Sequence, residues 1–236
     1  MQKFLTQFMI LSLGFAMMAP TSAQRSTRAR PIQLDSTTKF TVTNGRVLSV
    51  EYRGRHALKL APLEGHEHDT DQAMVAVLTT SDFNDGVIEV DVAGARRSGY
   101  SKTQDSTGFK GIVGISFRVH GDSAERFYIR PENSRGNDQL YRNRSTQYES
   151  DPDFPWNLLR KEAPGAYESY ADIESGAWTK LRIEVFGTKA QLYVNGAPQP
   201  ALIVNDLKLG DSRGKIALWA RISSEAYFSN LRVEAK

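Results

Sequence analysis

The sequence predicts an all-β fold, a two-sheet sandwich of jelly-roll type with about a dozen strands. Three observations predict it. Apolar and polar residues alternate with period two almost throughout from Phe40 onward, the mark of strands with one buried face. Turn dipeptides, Asn44-Gly45 and Asn195-Gly196 among them, interrupt the alternation at hairpin spacing. Helical periodicity is nearly absent, the single candidate being a turn or two over Trp156 to Lys161, stopped by Pro164.

Taken in order, Met1 to Ala23 carries Lys3, an apolar run from Phe8 to Ala19 and small residues at Thr21 and Ala23. This is the pattern of a secretory signal cleaved before Gln24, and its apolar run is shorter than the ~20 residues a membrane span needs. The expectation is an exported protein, periplasmic or extracellular, with no membrane attachment after signal removal. Residues 24–38, with Arg25, Arg28 and Arg30, read as a flexible leader, and residues 39–236 as one sandwich domain without a linker. Its strands are expected at Phe40–Thr43, Val47–Tyr52, Ala57–Leu60, Met74–Leu78, Val87–Val92, Ile112–Val119 and Arg126–Arg130. After a long interruption come Trp178–Phe186, Ala190–Val194, Ala201–Val204, Ile216–Ala220 and Tyr227–Val233.

The chain has no cysteine, so its core must hold it without disulfides. Its net charge is only +3, and although the sequence pI is 9.0, no basic stripe or nucleic-acid motif accompanies it. No nucleic-acid partner is expected.

The interruption, Arg126 to Tyr170, differs from the rest. Its 45 residues hold eight of the 23 aromatic side chains, seven basic and seven acidic groups. Rings mixed with planar polar groups make poor core, because each buried polar group needs its own partner. They suit a sugar, whose paired hydroxyls bind Arg, Asn and carboxylates bidentately while its CH face stacks on a ring. The stacking candidates are Tyr128, Tyr148 and Trp156, and the hydrogen-bonding candidates Arg130, Glu132, Asn133, Arg135, Asp138, Gln139, Arg142, Asn143 and Gln147. The alternative is a self-satisfied loop covering one sheet face. Alternation puts Val113, Ile115, Phe117 and Val119 inward with Phe127 and Ile129, leaving Arg118, Tyr128 and Arg130 on the outer face. The loop Glu132 to Tyr148 would start above them.

The strand GVIEVDV, the strand and turn ERFYIRPEN, the hairpin GAWTKLRIEVFGTKAQLYVNG and the closing KIALWA and AYFSNLRV segments together resemble the concanavalin A-like lectin/glucanase superfamily, in its laminin G-like branch. The last two segments also resemble the end of the bacterial 3-keto-disaccharide hydrolase domain. The resemblance spans nearly all of the chain after the signal, residues 24–236, and implies carbohydrate as the ligand class, while function must come from the site.

Four shorter motifs have bland readings beside the chemical ones. Glu89-Val90-Asp91 is similar to the paired carboxylates of laminarinase-like glucanases, but Ala93 and Gly94 stand where the acid/base residue would be, so the pair reads as a solvated strand face. Gly210-Asp211-Ser212-Arg213-Gly214 matches a nucleophile-elbow string, yet a strand and not a helix follows it. His66-Glu67-His68-Asp69-x-Asp71 could chelate zinc through its histidines or calcium through Asp69 and Asp71, against a plain polar loop. No cofactor is expected beyond that calcium, which the superfamily likeness favours. The Asn143-Arg144-Ser145 sequon is read as chance.

Three functions remain open: a carbohydrate-binding domain; a glycoside hydrolase or lyase acting on keto-disaccharide-type sugars, with Glu132, Asp138, Glu149 or the histidine loop as acid or base; and a laminin G-like protein-interaction domain with Phe154-Pro155-Trp156 as anchor. Arg130 and Asn133 are expected outside the core.

Overall fold

The computed structural model describes residues 30–69, 72–98 and 110–236. The signal-type segment and Arg25 and Arg28 of the leader lie outside the described residues. Strands are numbered in chain order. One sheet runs β13 (Leu202–Val204), β12 (Lys189–Val194), β11 (Thr179–Phe186), β6 (Gly86–Arg96), β15 (Ser224–Ala235), β4 (Arg55–Pro62) and β3 (Gly45–Tyr52), with β1 (Arg30–Pro31) paired to β15. The other runs β10 (Glu168–Ser169), β9 (Thr146–Asp151), β8 (Ser123–Ile129), β7 (Val113–His120), β14 (Lys215–Arg221), β5 (Ala73–Leu78) and β2 (Phe40–Thr43). Three short helices, α1 (Pro131–Ser134), α2 (Gln139–Arg142) and α3 (Trp156–Glu162), all fall in the interruption. The two-sheet all-β sandwich is therefore the observed architecture, with every expected strand present.

The sheets share one core. Ile88, Val90 and Val92 of β6, Leu181 and Ile183 of β11 and Phe228 of β15 meet Val113, Ile115 and Phe117 of β7, Phe127 of β8 and Leu218 of β14, all at most 1% exposed. These are the alternate positions of each strand, as the pleat requires. Part of the stretch read as a flexible leader is built into the sandwich: β1 pairs with Val233 and Arg232, and Leu34 joins the core.

Two differences from the expected layout matter. The strand β9 was hidden because TQYESD has a single apolar residue, Tyr148; its alternation places Tyr148 inward opposite Phe127 and sends Gln147, Glu149 and Asp151 outward. The second is at Arg118, expected on the outer face. Its φ of 53° and a register shift between Phe117 and His120 mark a bulge that resets the alternation. Arg118 turns in and is fully buried, donating to the carbonyls of Asn84 (3.0 Å), Gly210 and Gly187 (2.8 Å) and pairing with Asp85 at 3.0 Å. Val119 is left half-buried, on the wall of a depression on the outer side.

Candidate functional site

The outer face of the β2–β10 sheet carries the outward side chains of β8 and β9. A small apolar cluster of Ile112, Tyr128 and Trp219 lies there, flanked by Ala73 and Val75. Gly114 sits between the two rings, paired in register with both Tyr128 and Trp219. A Cβ at Gly114 would come within 2.2 Å of the Phe127 carbonyl and 2.5 Å of the Tyr128 Cβ, so only glycine lets the rings close to 5.1 Å.

Polar side chains of β8 and β9 run beside this cluster as a continuous ladder. Arg126 lies over the Trp219 ring at 4.4 Å, donates to Ser116 Oγ at 2.9 Å, and is paired with both Glu149 and Asp151. Burial pulls its pKa down, but the two carboxylates outweigh that and leave it above the usual arginine range. The Tyr128 hydroxyl donates to Glu149 at 3.3 Å and accepts from Arg130 at 3.0 Å; burial, aided by Glu149, pushes its pKa well up. Arg130 also donates to Gln147 Oε1 at 3.2 Å and to the Arg144 carbonyl at 3.1 Å. Helix α3 covers this end: the guanidinia of Arg130 (5.8 Å) and Arg160 (4.6 Å) both lie against Trp156, and Arg160 pairs with Glu168.

Of the twelve residues selected from sequence, the fold brings Tyr128, Arg130, Gln147 and Trp156 into this ladder. Tyr148 is instead in the core at 0% exposure, because β9 alternation points it between the sheets, so no ring face is open to a ligand. Its hydroxyl donates to Glu125 and accepts from the Lys208 N–H at 2.9 Å. Arg130 and Asn133, expected outside the core, are 6% and 3% exposed; the segment folds down over them, and Asn133 donates to the Arg144 carbonyl at 3.3 Å. Glu132 accepts from the Ser175 hydroxyl. Asp138 caps α2 through the Tyr141 N–H at 3.1 Å, and Gln139 donates to Asn143 at 2.7 Å. Arg135 is exposed and paired with Asp172 and Glu174, and Arg142 donates to the Tyr170 hydroxyl at 3.3 Å. These residues hold the local turns together. Arg126, Asp151, Arg160 and Trp219 were missed, and Glu149, weighed from sequence as an acid or base, is instead an ion-pair partner of Arg126. Arg126 was legible, since it shares the outward alternation of Tyr128 and Arg130.

Beyond the ladder's Asp151 end, the sheet face opens into a depression of about 210 Å³ lined by Thr43, Val75, Val77, Ser116, Val119, Ala124, Arg126 and Asp151, among others. Here Asp151 is only partly covered, with 36% of its side chain exposed. A second depression, about 340 Å³, lies on the other sheet between residues 31–34 and 229–232.

The shorter motifs settle into local roles. Asp91 is not solvated: it is 7% exposed and accepts from Arg55 at 2.8 Å and Asn230 at 2.7 Å, while Glu89 faces Arg182. The 210–214 string leads directly into β14, with Gly214 bridged to Phe83. His66 bonds Asp69 at 2.9 Å in an exposed turn; Asp71 lies outside the described residues, and among those described no group of three acidic or histidine side chains converges as a metal site. No described helix is long and apolar enough to cross a membrane.

No family model and no curated protein matches the sequence. Solved structures do match the fold. The chain is similar to the carbohydrate binding module CBM66 from Bacillus subtilis, at 12% identity and a TM-score of 0.56, over 86% of this chain and 100% of that one. It is also similar to a Bacillus subtilis protein of unknown function with a galectin-like fold, at 12% identity and a TM-score of 0.53, over 83% and 89%. The shared fold is a two-sheet antiparallel β-sandwich. At these identities the likeness is one of backbone architecture, and the chemistry has to be read from this chain's own residues.

Proposed function

We propose that this protein is an exported carbohydrate-binding domain whose ligand lies along the outer face of the β2–β10 sheet, seated at the depression beside Asp151. The observation that carries the reading is the composition of that depression. Val75 and Val77 give an apolar floor, and Ser116, Arg126 and Asp151 converge at its edge. A sugar ring presents that pairing of a CH face and hydroxyls. At about 210 Å³ the depression is smaller than the roughly 300–1,000 Å³ of clefts that enclose drug-sized ligands, which suits one ring of a longer chain. A carbohydrate binding module among the similar structures supports the reading.

Binding is favoured over hydrolysis because the carboxylates weighed as acid or base are engaged. Glu132 holds Ser175, Asp138 caps α2, and Glu149 holds Arg126, Tyr128 and the Trp156 N–H. The laminin G-like protein-interaction reading has less support, since Phe154 packs against the core and Trp156 is partly covered by two guanidinia.

The test is a panel of oligosaccharides, keto-disaccharides included, titrated calorimetrically and followed for released sugar. Saccharide binding without product is expected, with Asp151→Asn weakening it about tenfold or more, the loss of a hydrogen bond to a charged group. Arg126 keeps Glu149 in that variant, so the fold should survive. Binding indifferent to Asp151→Asn, or turnover of any panel member, would overturn the proposal.

A further inference from the structure

The ladder is electrically lopsided. At the depression end one guanidinium, Arg126, meets two carboxylates, Glu149 and Asp151. At the other end two guanidinia, Arg144 and Arg160, share a single carboxylate, Glu168, which pairs with Arg144 at 3.3 Å and with Arg160, and a third, Arg130, stands beside Arg160. Arg130 has no carboxylate within ion-pair distance among the described residues. Its acceptors are all neutral: the Tyr128 hydroxyl, the Gln147 amide oxygen and the Arg144 carbonyl. Yet it is 6% exposed. A guanidinium withdrawn from water with no carboxylate in direct contact, only Glu149 and Glu168 farther off, is an expensive arrangement, and an anion beside it would repay part of that cost. Burial, with Arg160 adding to it, already pulls the Arg130 pKa below the usual arginine range.

The geometry suits a ligand and not merely an ion. Arg130 and Arg160 both donate to Gln147 Oε1, at 3.2 and 3.5 Å, and both lie against Trp156, so their planar forks are held side by side. Arg144 and Arg160 keep 21% of their side chains exposed, which leaves an approach from solvent. Along β8, Arg126 and Arg130 are four residues apart, roughly 13 Å. A saccharide lying along β8 and β9 would meet a carboxylate at one end and clustered guanidinia at the other.

Resting on the carbohydrate reading above, we infer that the ligand is an anionic glycan, its acidic substituent held by Arg130, Arg144 and Arg160 at the α3 end while neutral hydroxyls occupy the Asp151 end. Guanidinium forks match a ring carboxylate bidentately and take a sulfate ester by the same chemistry. Uronates and sulfated sugars are thus the two sources to separate.

The experiment titrates the full chain with galacturonate oligosaccharides, sulfated galactose oligosaccharides and neutral galactose oligosaccharides of equal length. Parallel titrations use Arg160→Gln, Arg130→Gln and, as a charge control on the opposite sheet, Lys180→Gln. At least one acidic series should bind about tenfold tighter than the neutral one, and Arg160→Gln should erase that preference while Lys180→Gln keeps it. Arg160 is partly exposed, so its variant remains informative if Arg130→Gln does not fold. Equal binding of acidic and neutral series overturns this inference and leaves the carbohydrate reading standing. An acidic preference that survives Arg160→Gln overturns the location. Binding of none of the series overturns both.

Discussion

Glu125 occupies an inward position of β8, at 0% exposure, where its carboxylate accepts from the Tyr148 hydroxyl and, at 2.7 Å, from the Leu209 N–H. Burial raises its pKa above the usual 4.5, the two hydrogen bonds recovering only part of the loss. Its folded-state pKa lies above the unfolded value, so the folded chain holds this proton more tightly. The stabilisation from that linkage is fully present below the unfolded pKa and is lost as pH rises through the folded one. Glutamine keeps an acceptor for Leu209 and carries no charge. The stability of Glu125→Gln relative to the parent should therefore climb as pH rises above about 4.5, measured by urea unfolding from about pH 3 to 8. A difference that stays flat over that range would mean the carboxylate is not penalised by its site. Nothing in the sequence marked this residue, because an acidic side chain between Ala124 and Arg126 reads as one more solvent-facing charge until β9 is known to lie alongside.

At the scale of elements, the alternation of β7 assigned an inward face that the structure keeps as far as Phe117, and β11 of the facing sheet alternates in the same way. Ile115 and Ile183 come from opposite sheets and are both 0% exposed. Truncating either to alanine should cost about 2–5 kcal/mol by denaturant unfolding, and a near-neutral result for one would show that its sheet face can collapse onto the gap. What alternation could not show is the bulge at Arg118 or the strand β9. A bulge is set by one residue's backbone angle and leaves the pattern of apolar letters intact up to Phe117. Strand β9 gives none of the usual signal because Thr146 and Ser150, which share the inward face with Tyr148, are polar. The helical turn over Trp156 was legible because Pro155 and Pro164 bracket it, and α3 starts at Trp156 as read.

Over the whole molecule, the sandwich and its pairing followed from local rules, whereas the site depended on which polar residues the two strands β8 and β9 set side by side. Composition located the right stretch of chain. Only register separated residues that build the ladder from those that cap its turns. At one end of the sandwich Arg118 joins three separate connections through their carbonyls: Asn84 before β6, Gly187 between β11 and β12, and Gly210 before β14. That shared anchor divides the surface into places that tolerate foreign sequence and places that do not. A peptide tag inserted after Gly65, which has open space around it, should be carried with the melting temperature unchanged. The same tag after Gly187, whose carbonyl serves Arg118 and whose N–H donates to Asp85 at 2.9 Å, should lower it or abolish soluble expression. Equal tolerance at both places would mean that this guanidinium does not tie the connections together, and the end it occupies would become the natural site for building new loops onto the scaffold.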